Sequence, residues 1–163
     1  MAAAAKLPRV RLINVHALGG VAMMKAAREA LGGKKRRPAL LGVTILTSMD
    51  EAALAQVGIS GPPETRVVAL AQLAQQAGLD GVVASAQEAA AIRAACGPKF
   101  LIVVPGVRPA GADLNDQSRV ATPAGAIRAG ASYLVVGRPI AGAAKPREAA
   151  LAIAREIAGA RGG

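Results

Sequence analysis

The chain has 163 residues, 53% of them hydrophobic, and carries 20 Lys and Arg against 10 Asp and Glu, a formal net charge of +10. That length is one domain's worth, residues 1–163 as a single unit, and much of the apolar share is alanine, which favours helices. The lone Cys96 excludes an internal disulfide or cysteine-built zinc site, the two aromatics Phe100 and Tyr133 leave the basic excess without the stacking platforms of a nucleic-acid binder, and no apolar run nears the ~20 residues of a membrane span.

Met1 to Leu7 has helical composition, no capping residue ahead of it and a strand soon after, so it reads as a helix entered midway. Ala2 to Ala5 is too short for a signal-peptide core, and a cytoplasmic location is expected. Leu12 to His16 is the first strand candidate. The run Lys34, Lys35, Arg36 and Arg37 follows Gly32-Gly33 and reads as a solvated loop ahead of a second strand, Leu40 to Leu46. Val67, Leu70, Ala71, Ala74 and Ala77 then recur at helical spacing beneath Gln72, Gln75 and Gln76, the pattern of an amphipathic outer helix stopped by Gly78. A third strand covers Gly81 to Ala84. Ser85 with Glu88 has capping-box spacing and opens a helix that ends near Cys96, a small core residue. Phe100 to Val104 is the fourth strand. The stretch from Pro105 to Thr122 lacks apolar periodicity and reads as a binding loop, Thr122-Pro123 starts a helix, Gly130 stops it, and Tyr133 to Val136 is the fifth strand.

Short apolar strands alternating with longer helices predict repeated βα units around a parallel sheet. The segments from Ala77 to Ser85 and from Ala129 to Gly137 nearly repeat one another, each a helix stop followed by a strand. A closed βα barrel has eight strands and ~250 residues, so the expected fold class is α/β, a partial (β/α)8 TIM barrel of about the last five βα units with the first three strands missing. Such a sheet has two open edges and is expected to uncover apolar interior positions at Val43, Ile45, Val82 and Val103 or their neighbours, favouring association or only marginal folding.

Barrel chemistry lies at the C-terminal ends of the strands. There the sequence places Asn14 and His16, Thr47 and Ser48, Ser85, the Pro105-Gly106-Val107-Arg108 loop running on to Gln117, and Gly137-Arg138. Gly137-Arg138-Pro139 after the last strand suits phosphate, because glycine allows close approach and arginine makes charge-assisted bonds. Arg108 and Gln117 are placed to reach a polar ligand. His16, the sole histidine, reads as a hydrogen-bonded structural residue rather than a base. Asp50, Glu51, Asp80 and Glu88 show no metal-ligand spacing, and helix-start or turn chemistry accounts for them.

The segments Asn14 to Gly20, Val43 to Met49, Asp80 to Ser85, Pro105 to Pro109 with Asp116-Gln117, and Val136 to Ile140, five in order, resemble bacterial orotidine-5'-phosphate decarboxylases, over about Ala2 to Ile157. The resemblance implies that Thr47 contacts a pyrimidine ring, that Gln117, Gly137 and Arg138 hold a 5'-phosphate, and that Arg108 supports the ligand loop. It also implies conversion of orotidine 5'-monophosphate to uridine 5'-monophosphate without metal or organic cofactor, in a homodimer; from composition, neither nucleic acid nor membrane is expected as a partner. The family's proton-donating lysine lies in an Asp-x-Lys-x-x-Asp-Ile-Pro-Asn-Thr motif ahead of the segment matching Asn14 to Gly20, and this chain contains no such motif. No catalytic residue is therefore assigned, and the chain by itself is expected to be inactive. Two other readings stay open: a related barrel enzyme acting on another sugar phosphate, and a basic binding protein using Lys34 to Arg37.

Overall fold

The computed structural model describes residues 1, 3, 9–32, 37–109 and 121–161. Among these residues, five strands form one parallel sheet in sequential order: β1 Leu12–His16, β2 Ala39–Val43, β3 Gly81–Val83, β4 Leu101–Val104 and β5 Tyr133–Leu134. Each parallel step needs a crossover. The crossovers carry α1 Gly20–Ala30, α2 Glu51–Gln56, α3 Pro63–Gln76, α4 Ala86–Cys96 and α5 Pro123–Arg128, and β5 leads into α6 Arg138–Ala141 and α7 Pro146–Arg161.

The helix boundaries follow local chemistry. Asp50 caps α2 by accepting from Ala53 N, and Thr122 caps α5 by accepting from Gly125 N at 3.0 Å, with Pro123 as the first helical residue. Ser85 caps α4, its hydroxyl accepting from Gln87 N at 3.2 Å. Gly78 and Gly130 adopt φ of +80° and +107°, the left-handed stop that follows a helix. The stripe on α3 is buried throughout: Val67, Ala71 and Ala74 are fully enclosed, and Leu70 and Ala77 nearly so.

Three strands end earlier than their apolar runs. β2 stops at Val43, β3 at Val83 and β5 at Leu134, although Thr44 N, Ala84 N and Val135 N still donate to Val83 O, Val103 O and Val104 O. Pro105, which offers no N–H, ends the run of β4.

Register divides the sheet into two faces. Gly42 points toward Ala17, Ala74 and Leu79, so the side that it shares with Ile13, Val15, Leu40, Val82, Ile102 and Val104 is the helix-covered side. Alternation puts Leu12, Asn14, His16, Val43, Val83, Leu101, Val103 and Tyr133 on the other side, the interior of a barrel. That side is open at its flanks: Leu12 is 38% exposed and Tyr133 52%. The expectation of uncovered interior positions therefore holds at a neighbour of the named residues, Tyr133, which pairs with Val103, and at Leu12 on the other edge. Val82 faces the helices and is fully buried, Ile45 and Val103 are also buried, and Val43 is half-buried. Central positions of the open face shelter one another, and exposure falls on the edge strands.

The near-repeat in the sequence has a structural meaning at the N-terminal ends of the strands. Asp80 N donates to Leu40 O, and Asp80 Oδ2 accepts from Leu40 N at 2.7 Å. Ser132 N likewise donates to Ile102 O, and Ser132 Oγ accepts from Ile102 N at 3.1 Å. A short polar residue thus finishes each ladder where a strand begins, and an arginine braces each one: Arg37 on Asp80 and Arg93 on Ser132.

Candidate functional site

The C-terminal ends of β2, β3 and β4 enclose a cavity of about 250 Å³ lined by Val43, Ile45, Leu46, Thr47, Ser48, Val83, Ala84 and Pro105. Its floor is apolar because β2 and β3 present Val43 and Val83 to the interior. Its polar groups come from the turn after β2, where Met49 N donates to Leu46 O and closes the turn on Thr47 and Ser48. Thr47 is 8% exposed and Ser48 is exposed. Just below, Thr44 Oγ1 donates to Val83 O at 2.9 Å, which ties this turn to β3. The volume falls under the ~300–1,000 Å³ of pockets that enclose a whole drug-sized ligand. A space of that size matches a flat ring rather than a whole drug-sized ligand.

Arg108 is buried, 6% exposed, and its Nη1 donates to Val107 O at 3.0 Å. Its backbone N donates to Ala121 O at 3.0 Å, and Val107 and Ala121 form a parallel bridge. The two ends of the long loop are therefore pinned together beside the fully buried Val107. Gln117 lies outside the described residues, as do Lys34, Lys35 and Arg36 and most of the first eight residues.

Gly137 and Arg138 are both exposed where the chain leaves β5 and enters α6. A Cβ at Gly137 would meet nothing within 4 Å, so the backbone there is open to close approach. Gly137 O accepts from Ile140 N and Ala141 N, which fixes the turn. The structure thus places Thr47, Arg108, Gly137 and Arg138 at the C-terminal pole, with Thr47 in the cavity wall, Arg108 in the loop base and Arg138 on the surface. His16 is exposed on the open face.

Larger recesses of about 630 and 570 Å³ lie at the opposite pole, around Arg37, Ala39 and Leu101. The N-terminal pole of a barrel serves stability, and Arg37 and Asp80 there engage one another. Burial pushes the Asp80 carboxyl up, but bonds from Arg37 and from Leu40 N outweigh it and hold the carboxyl below its ordinary range. The Arg37 guanidinium is correspondingly raised, chiefly by its hydrogen bonds to Asp80. Burial raises the Cys96 thiol, against the pull of Arg93, which suits an inert core residue. Among the described residues no group of three or more His, Cys, Asp and Glu is gathered to hold a metal, and no described helix is long and apolar enough to cross a membrane.

Sequence reasoning missed the apolar wall of the cavity, because Ile45 and Leu46 read as strand interior until Val43 ends the ladder. It also missed Glu156, whose Oε1 accepts from Ala124 N at 2.9 Å and joins α7 to the start of α5. On an amphipathic helix such a residue reads as solvated surface, and no local signal marks its partner.

Comparison with known proteins agrees with this geometry. The family model described as "Orotidine 5'-phosphate decarboxylase / HUMPS family" matches residues 1–153. The chain is 56% identical over 148 residues to an orotidine 5'-phosphate decarboxylase from Nitrosococcus oceani, covering 91% of this chain and 64% of that one. It is 58% identical over 153 residues to the Geobacter sulfurreducens enzyme of the same name, covering 91% and 63%. Among solved structures, an orotidine 5'-phosphate decarboxylase from Lactobacillus acidophilus superposes with a TM-score of 0.80 at 38% identity, covering 96% of this chain and 66% of that one. The chain thus spans about 63–64% of the length of these two curated relatives, and its five βα units are staves of a TIM barrel. By the match along nearly its whole length, this chain belongs to the orotidine 5'-phosphate decarboxylase / HUMPS family.

Proposed function

We propose that this chain holds orotidine 5'-monophosphate and its product, uridine 5'-monophosphate, for the decarboxylation step of pyrimidine synthesis. The pyrimidine ring enters the cavity walled by Thr47 and the 5'-phosphate docks at Gly137 and Arg138, with Gln117 completing the phosphate contacts and Arg108 holding the loop base. The observation that carries this reading is the cavity at the strand ends: it takes a ring, its wall includes Thr47, and it belongs to a chain of this family. No metal or organic cofactor enters the reading, and the working unit is a cytoplasmic homodimer.

Decarboxylation of the pyrimidine leaves a carbanion-like centre that must be stabilised by positioned charge and then protonated. Phosphate contacts far from that centre contribute by fixing the substrate in place. The residues named here supply the second contribution, and the Asp-x-Lys-x-x-Asp motif that would supply the first is not in this sequence. The chain by itself therefore binds nucleotide without turning it over. A decarboxylation assay on the 163-residue protein, with uridine 5'-monophosphate binding measured in parallel, tests this: binding without turnover is expected. Turnover by this chain would place the proton donor among residues 1–163 and overturn the division of labour. Stronger competition by other sugar phosphates than by uridine 5'-monophosphate would favour a related barrel enzyme instead.

A further inference from the structure

Two parts of the nucleotide site reach the sheet by different routes. Arg108 and Ala121 hold each other at the base of the long loop, and Ala121 runs through the Thr122 cap into α5. Gly137 and Arg138 run through α6 into α7. Between these routes, the side chain of Glu156 on α7 accepts from the backbone N of Ala124, in the first turn of α5, at 2.9 Å. Glu156 is half-buried, and its neighbours along α7 include Ile153, which is buried, and Ile157. The bond is charge-assisted and satisfies one of the amide groups that a helix start leaves open.

We infer that Glu156 is a positioning residue for phosphate recognition: through Ala124 it sets the place of the Arg108–Ala121 loop base relative to the Gly137–Arg138 turn. The inference rests on the reading of Gly137 and Arg138 as the phosphate site. Three features favour it over a simple helix-to-helix tether. The acceptor is an ionised side chain aimed at one backbone amide. That amide lies three residues from Ala121, whose carbonyl holds Arg108 N. The helix carrying Glu156 is the next element after α6, which begins at Arg138. Nothing in this arrangement touches the cavity at Thr47, so loss of the bond displaces the phosphate end of the site and spares the ring end.

The test titrates uridine 5'-monophosphate and uridine into the wild-type chain and into Glu156→Ala, Glu156→Asp and Glu156→Gln, with thermal unfolding followed on each. Glu156→Ala is expected to weaken the monophosphate by about tenfold while uridine changes by less than about twofold. Glu156→Asp keeps the charge but withdraws it from Ala124 and should show the same pattern more weakly; it carries the comparison if the alanine variant does not fold. Glu156→Gln keeps an acceptor in place and should restore most of the wild-type ratio. An unchanged monophosphate-to-uridine ratio in the alanine or aspartate variant, or equal losses on both ligands, would overturn the inference. A wild-type chain that binds the two ligands equally would instead sink the phosphate reading on which it rests.

Discussion

Arg37 grips Asp80 with both terminal nitrogens, at 2.5 and 2.7 Å, while Asp80 also accepts from Leu40 N, so one carboxylate fastens the entrances of β2 and β3. The pair is only partly exposed, at 17% and 28% of the two side chains, and less screened than a surface bridge. Asp80→Asn keeps the shape but loses the charge, and should cost about 1–3 kcal/mol in denaturant unfolding near neutral pH. The sign of the pH effect follows from the lowered carboxyl. Its stabilising contribution is present above the ordinary aspartate range and is lost as pH falls through the lowered folded value, while Arg37 stays charged throughout. Wild type and Asp80→Asn should therefore converge in stability at strongly acidic pH. A gap that persists there would mean that the charge is not what Asp80 contributes.

Arg93 is a second fastener and a stronger one. Its Nη1 donates to Gly97 O, Pro98 O and Phe100 O, and its Nη2 to Gly130 O and Ser132 Oγ, all between 2.7 and 3.3 Å. One planar group closes the end of α4, the entry to β4 and the turn before β5. Arg93→Ala should destabilise by about 2–4 kcal/mol, since several carbonyls lose a charged donor at once. Arg93→Lys should recover less than half, because an ammonium cannot span the same fork. Equal stability of the lysine variant and the wild type would contradict this.

Gly81 opens β3 against Leu101, and a Cβ there would overlap the carbonyl and Cβ of Leu101. The glycine is needed for close approach rather than for an unusual φ, because β3 and β4 are drawn together beneath the open face. Gly81→Ala should cost about 1–3 kcal/mol through forced separation of the two strands. Gly137→Ala, with no atom near its Cβ, should leave folding within about 0.5 kcal/mol of wild type.

The flanks of the open face expose Leu12, Tyr133 and Val135, and β1 and β5 are the ends of the sheet. Apolar patches beside unpaired strands recruit further protein. The chain should elute above monomer size and bind a hydrophobic dye, and a combined Leu12→Lys, Tyr133→Lys and Val135→Thr variant should shift toward monomer with less dye bound. A wild-type protein that is monomeric and dye-silent would show that the face is not sticky in solution.

The strand positions were legible because buried parallel strands are continuous apolar runs, and β1 matches its expected span residue for residue. The caps at Asp50, Ser85 and Thr122 were legible because they depend on neighbours within four residues. Less legible was whatever depends on distance along the chain. Which interior residues are uncovered is set by strand order, so Val82 and Ile45 are buried while Tyr133, the neighbour of Val103, is exposed. The braces from Arg37 to Asp80 and from Arg93 to Ser132 join residues 43 and 39 positions apart, and Glu156 meets Ala124 across 32. The strand-end placement of Thr47, Gly137 and Arg138 was legible in the sequence, whereas the apolar wall of the cavity required the fold.

Under the proposed reading, this chain anchors a nucleotide by its phosphate at Arg138. Calorimetric titration of uridine 5'-monophosphate into wild type and Arg138→Ala tests it most directly. A charge-assisted contact of about 1.5–3 kcal/mol predicts that the alanine variant, still folded, binds about tenfold or more weakly. Equal affinity in the two proteins would remove Arg138 from the site and contradict the account.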